Sequence, residues 1–186
     1  MSDAIVDSCC VINLYAAGNL LSLLPPLGRR LYVPERVLGE SMYVRQPDPA
    51  DPAKLVQRAV DLAPVIEAGL LHRCDLEGEA ELNLFVQLAT TLDDGEAACL
   101  AIAKNRGWTL ATDDRKGRRE AAGLDVPVVT TPELVNAWAD ATSADDATVS
   151  RVLQYIQDYA RFAPHKTMPL HQWWLDAIKK GGSGSP

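Results

Sequence analysis

Leu92-Asp93-Asp94-Gly95-Glu96-Ala97-Ala98-Cys99-Leu100-Ala101-Ile102-Ala103-Lys104-Asn105-Arg106-Gly107-Trp108-Thr109-Leu110-Ala111-Thr112-Asp113-Asp114-Arg115 is the stretch on which the fold turns. It opens with acids suited to a helix N-terminus, where negative charge meets the dipole and the orphan N–H groups. An Ala-rich segment follows, narrow enough to lie close against a sheet, and Gly107 stops it. Trp108 to Thr112 then predicts a short strand, closed by Asp113 and Asp114. A helix followed by a strand returns the chain on itself. The carboxylates around Glu96 and those at Asp113 and Asp114 can therefore meet at one edge of a parallel sheet. Capping alone explains one or two acids, but Asp93, Asp94 and Glu96 place three within four residues.

Working outward, Ala4-Ile5-Val6 is an uncharged apolar run that suits a buried parallel strand, and it ends on Asp7-Ser8. A carboxylate at the carboxyl end of such a strand sits where open α/β sheets bind ligands. The plainer role for Asp7 is to cap the next helix. That helix is predicted to end near Ala17, with a short second one from Asn19 closed by Pro25-Pro26. Arg30 to Val33 predicts a second strand, and Pro34 fits the first turn of a helix that carries Val37, Leu38 and Glu40. Gln46 to Pro52 reads as a Pro-punctuated loop running into a helix from Ala53 to Leu62.

Leu70 to Cys74 is a third predicted strand, with His72 an ordinary strand residue, and Glu79 to Thr91 a helix. Val126 to Val129 is a fifth strand, placed at an edge by Pro127, which has no N–H for a ladder. Thr131 and Pro132 start a helix through Trp138, Ala139 to Ala147 reads as a loop, and Val149 to Phe162 resumes helical spacing. Five strands alternating with helices argue an α/β fold with a mostly parallel sheet. The tail with Trp173 and Trp174 predicts a C-terminal helix that closes the core or anchors a partner. Gly181 to Pro186 is flexible by composition and compatible with a cloning remnant.

The chain of 186 residues, 47% of them hydrophobic, supports one globular domain with an appended element. Lys and Arg number 18 against 25 Asp and Glu, a net charge of −7 that repels a nucleic-acid backbone. Any phosphate partner must then be met locally, through a metal or a basic patch. Arg115, Lys116, Arg118 and Arg119 form such a patch directly after the second acid cluster, although a solvated helix face is the plainer reading. No run approaches the ~20 apolar residues that span a bilayer, so a soluble, cytoplasmic protein is expected. Cys9, Cys10, Cys74 and Cys99 read as reduced core thiols, and their spacing does not suggest zinc.

Asp7-Ser8 after an apolar strand, Glu40 in Val37-Leu38-Gly39-Glu40, Asp93-Asp94-Gly95-Glu96-Ala97 opening an Ala-rich helix, and Thr112-Asp113-Asp114-Arg115 after a strand together resemble the PIN-domain family. The ordered set carries the resemblance, over roughly residues 3 to 138, and within the family it is similar to VapC-type toxins. The resemblance implies a three-layer fold with a central five-stranded parallel sheet in the order 3-2-1-4-5. PIN-like residues 1–138 would be followed by a helical extension over 139–180 and a tail over 181–186.

It also implies a metal-dependent endoribonuclease, as the toxin of a type II toxin–antitoxin system. Asp7, Glu40, Glu96 and Asp114 would be the catalytic and metal-binding acids, with Asp113 or Asp93 as a supplementary ligand. Glu96 stands where an Asp is common, so Asp93 or Asp94 remains an alternative to it. Oxygen ligands select Mg²⁺ or Mn²⁺. Arg115, Lys116, Arg118 and Arg119 would hold the RNA. The expected partners are RNA, a protein antitoxin and a second copy of the chain, with no membrane. The competing readings are a catalytically inactive protein-binding module, a housekeeping RNA-processing nuclease, and another Mg²⁺-dependent phosphotransfer domain. The last lacks a Gly-rich phosphate loop here.

Overall fold

A computed structural model describes residues 3–182. In chain order its strands are β1 (Ala4–Val6), β2 (Leu31–Pro34), β3 (Tyr43–Asp48), β4 (Asp51–Ala59), β5 (Leu71–Cys74), β6 (Thr109–Ala111) and β7 (Val128–Val129). The helices are α1 (Ser8–Ala16), α2 (Leu20–Leu23), α3 (Glu35–Leu38), α4 (Ala63–Glu67), α5 (Gly78–Leu88), α6 (Asp94–Arg106), α7 (Arg115–Gly123), α8 (Thr131–Thr142), α9 (Asp146–Tyr155) and α10 (His171–Gly182). The chain divides into two compact units. The first takes in residues up to Val11, Gly28–Ser41 and Leu62–Thr131; the second takes in Ile12–Leu27, Met42–Asp61 and the chain from Pro132 on.

The first unit is built on a five-stranded sheet in the order β5-β2-β1-β6-β7. Every neighbouring pair is parallel, with Ala4 opposite both Leu31 and Thr109, Tyr32 opposite His72 and Leu110 opposite Val128. Leaving β3 and β4 out of the count, this is the expected 3-2-1-4-5 arrangement, with the Pro127 strand at an edge. β1 is central and wholly buried, as its uninterrupted Ala-Ile-Val demands.

α6 is buried from Ala97 through Ala103 without a break, so it behaves as a core helix rather than an amphipathic one. Small side chains make that close approach possible. Gly107 ends the helix with φ of 66°, a left-handed cap whose N–H returns to the Ala103 carbonyl. The last turn is tied to α5 by a part-buried fork: Arg106 meets Glu81 at 2.7 and 2.9 Å, and its Nη2 also donates to the Asp75 carbonyl at 2.7 Å. The Glu77 N–H donates to Glu81 as well, at 2.7 Å. Burial raises the Glu81 pKa, but these donors outweigh it and hold the carboxyl below its ordinary value.

The second unit holds most of α1, then α2, capped by Asn19 through a 3.0 Å bond from the Leu21 N–H. It also contains a two-stranded hairpin of β3 and β4, α8, and the pair α9 and α10. After Tyr155 the helix loosens into a π turn over Ile156–Ala160, which Arg161 closes in the left-handed region. Trp174 is fully buried, its ring edge-on to Phe162 at 5.7 Å, and the expected C-terminal helix is present.

Three local expectations are corrected. Residues 46–62 were expected as a loop and a helix, but they belong mostly to the β3–β4 hairpin, with Tyr43 opposite Ala59. Pro47 and Pro52 signal a loop in sequence, yet an exposed two-stranded ribbon tolerates proline where the N–H would face water. Glu40 is not within a helix, because α3 stops at Leu38 and Gly39 caps it. The expected loop at 139–147 shrinks, since α8 runs on to Thr142 and α9 begins at Asp146. Gly181 and Gly182 close α10, and the remainder of the expected flexible tail lies outside the described residues. Among the described residues no single helix is long and apolar enough to cross a membrane.

The side chains of Arg106 and Glu81 are only 19% and 7% exposed, so removing one strands a buried charge. Arg106→Ala is expected to lower the unfolding free energy by about 3 kcal/mol in urea titrations. A loss under about 1 kcal/mol would instead rank the fork with surface bridges.

Candidate active site

The parallel pairing of β1 with β6 sets Val6 opposite Ala111, so the residues that follow each strand, Asp7 and Thr112, are neighbours. The Asp7 N–H continues the ladder to the Ala111 carbonyl at 3.0 Å. Asp7 is 2% exposed. Its Oδ1 accepts from the Ser8 N–H at 2.7 Å, and its Oδ2 accepts from the Thr112 hydroxyl at 2.9 Å and the Cys9 thiol at 3.2 Å. Burial raises the Asp7 pKa despite these donors, and the charge of Asp93 adds to the rise.

Asp114 caps α7. The Lys116 and Gly117 N–H groups both donate to its Oδ1, at 2.6 and 2.8 Å, so the cap leaves Oδ2 uncommitted. Asp93 caps α6 in the same way, accepting from the Glu96 N–H at 2.8 Å. Glu96 stands in the first turn, half-buried, and its pKa is pushed up to about 7. Desolvation is the largest cause, followed by the charges of Asp93, Asp114 and Asp7.

Glu40 reaches this group from the segment after α3. The Ser8 side chain hydrogen-bonds to it, while burial and the charges of Asp93 and Asp7 raise its pKa. Its carboxylate lies directly on the backbone of α6. A Cβ at Gly95 would overlap Glu40 Oε1, with Glu40 Cδ at 3.2 Å and Val37 Cγ2 at 3.3 Å. Gly95 is thus required by close approach, which the sequence signals only as a glycine amid acids.

Asp7, Glu40, Asp93, Glu96 and Asp114 therefore act on one another electrostatically at one edge of the sheet. Asp94 does not join them: its exposed carboxylate is 3.9 Å from Arg36, whose guanidinium lies over the Phe85 ring. Asp113 was expected as a supplementary ligand beside Asp114, but its carboxylate turns to another set of partners. It accepts from the Thr131 N–H at 2.9 Å, from the Thr131 hydroxyl, and from the Cys10 thiol at 3.4 Å. Adjacent residues at a strand end point to opposite sides, so the two acids divide.

Arg115, Lys116 and Arg119 are exposed on α7, and Arg119 pairs with Glu120 at 3.0 Å. Arg118 is half-buried and donates to the Asp114 carbonyl at 3.3 Å. Arg115 and Lys116 thus follow directly on Asp114. Among the described residues, the set of three ligand atoms lying within 4.8 Å of one another is formed by Cys9, Cys10 and Asp113. The acids around Glu96 stand wider. That spacing fits a hard ion that keeps several waters and takes only one or two carboxylates directly. Their all-oxygen donor set fits Mg²⁺ or Mn²⁺, and the pKa values of Asp7, Glu40 and Glu96 are raised, by burial first and by neighbouring carboxylates second.

A family model described as a PIN domain, DUF3368, matches residues 3–163. The chain belongs to the PIN-domain family. PIN domains are generally nucleases, and the parallel sheet with its acid-lined edge accords with that. The match runs past the resemblance read from sequence, through α9 and the π turn. Neither the comparison with curated proteins nor that with solved structures yields a match.

The raised Glu96 pKa carries a stability consequence for this PIN domain. Between the ordinary 4.5 and about 7, the folded state holds a proton that the unfolded chain has lost. Stability then falls as pH rises through that window. Asp7 and Glu40, also raised, contribute in the same direction. Thermal melts of chelated protein between pH 5 and pH 8 are expected to show this fall, and Glu96→Gln to flatten it. An unchanged slope in Glu96→Gln would mean that the charge cluster does not load this side chain.

Proposed function

We propose that this PIN domain is a Mg²⁺- or Mn²⁺-dependent endoribonuclease and the toxin of a type II toxin–antitoxin pair. The observation that carries the reading is the meeting of Asp93, Asp114 and Asp7 around half-buried Glu96, whose pKa is lifted to about 7 by burial first and by those three charges second. Asp7, Glu40, Glu96 and Asp114 would hold the ion. When bound, a divalent cation supplies charge neutralisation and water activation at a phosphodiester.

The chain's own residues do the rest. Thr112, Cys9 and the Ser8 N–H fix the rotamer of Asp7 and steady its negative charge. Gly95 lets Glu40 approach the N-terminus of α6, where the N–H groups favour an anion. Asp114 is aimed by the α7 cap. The exposed Arg115 and Lys116 would take the phosphates flanking the cut, with Arg118 and Arg119 further along α7. In this reading residues 1–138 form the catalytic part and 139–180 an extension, and the protein works in the cytoplasm as a homodimer controlled by an antitoxin.

Purified protein is expected to cleave structured RNA when Mg²⁺ or Mn²⁺ is supplied and to stop when it is chelated. Loss of residues that merely orient ligands costs 10- to 100-fold in comparable sites, so Asp7→Asn and Glu96→Gln should each cost more than about 100-fold. Gly95→Ala, which displaces Glu40, should lower cleavage while the protein remains folded by circular dichroism. Full activity in both Asp7→Asn and Glu96→Gln would refute the assignment. The net charge of −7 favours a second reading, a protein-binding module without catalysis; Mn²⁺ binding with no cleavage of any RNA would select it. Growth arrest on expression, absent with Asp7→Asn, separates a toxin from a housekeeping nuclease.

A further inference from the structure

Cys9 and Cys10 follow Ser8 in the first turn of α1, two and three residues past Asp7. Cys10 is fully buried and Cys9 half-buried. The two thiols are themselves hydrogen-bonded, and both reach Asp113. Cys10 Sγ lies 3.4 Å from Asp113 Oδ2, and the Asp113 N–H donates to Cys9 Sγ at 3.3 Å. The Asp113 carboxylate is fixed by the N–H and hydroxyl of Thr131, and the same hydroxyl donates to Cys10 Sγ at 3.5 Å. One ligand atom from each of Cys9, Cys10 and Asp113 falls within 4.8 Å of the other two.

We propose that Cys9, Cys10 and Asp113 form a second cation site, built for a thiophilic divalent ion, Zn²⁺, and chemically distinct from the acid group around Glu96. Ligands about 2.3 Å (sulfur) and about 2.1 Å (oxygen) from zinc stand roughly 3.5–3.8 Å apart on a tetrahedron. Contraction of about 1 Å at the widest edge would suffice. Two sulfurs and one oxygen are a borderline-soft set that disfavours Mg²⁺, whereas the all-oxygen group around Glu96 disfavours zinc. Thr131 orients Asp113 as an outer partner orients a metal ligand, and half-exposed Cys9 leaves a fourth position to water.

The charge balances. Two neutral thiols and one carboxylate carry −1. On binding, each thiol releases its proton to solvent, and two thiolates, one carboxylate and Zn²⁺ again carry −1. The buried position of Cys10 therefore gains no net charge when the ion enters. Asp113, withdrawn from the acid group, acquires a role of its own. This site does not depend on the nuclease reading.

The test is Co²⁺ titration of the reduced, full-length protein, followed by Zn²⁺ displacement. Thiolate-to-metal charge-transfer absorption with tetrahedral d–d bands is expected, saturating at one Co²⁺ per chain. Cys9→Ser, a half-exposed position, and Cys10→Ala should abolish the bands, and Asp113→Asn should weaken binding at least about tenfold. Cys74→Ser and Glu96→Gln should leave them intact. Absence of charge transfer in the wild type, its survival in Cys9→Ser, or its loss in Glu96→Gln would each overturn the proposal.

Discussion

Repulsion among like charges is the constraint around which the first unit is arranged. Asp7 is buried at the end of the central strand, and the Glu96 pKa is pushed up to about 7 by burial and then by the charges of Asp93, Asp114 and Asp7. A fold gains nothing from collecting acids in this way, and surface acids alone would disperse. The fold tolerates the group because each member has a structural tether. Asp7 has three donors, Asp93 and Asp114 cap helices, and Glu40 lies against the bare backbone at Gly95. The tethers fix where negative charge accumulates, and a divalent cation is what would relieve it.

The core was legible because parallel strands announce themselves as continuous apolar runs. Ala4-Ile5-Val6 and Thr109-Leu110-Ala111 need both faces covered, and buried α6 lies close to the sheet. The β3–β4 hairpin was not legible. Its prolines read as breakers, and only pairing between Tyr43 and Ala59 reveals the ribbon. Glu40 was found as an acid, but its placement past the end of α3 depends on Gly39 stopping that helix after one turn.

The division between Asp113 and Asp114 shows where sequence reasoning runs out. Side by side, they differ in no property that composition or periodicity can register. Their fates diverge because the Thr131 N–H, 18 residues further on, meets Asp113, while the first N–H groups of α7 meet Asp114. In sequence Cys9 and Cys10 look like inert core thiols for the same reason. Their meeting with Asp113 spans more than 100 positions of chain and exists only once β1 and β6 pair.

The central claim, that the tethered acids share one hard cation, is most directly tested by diffraction from crystals grown with Mn²⁺, using its anomalous signal. The account predicts a peak among Asp7, Glu40, Glu96 and Asp114, with at least one of their carboxylate oxygens about 2.1 Å away and waters completing an octahedron. A well-ordered Mn²⁺ peak elsewhere, with these four side chains unliganded at saturating metal, would contradict it.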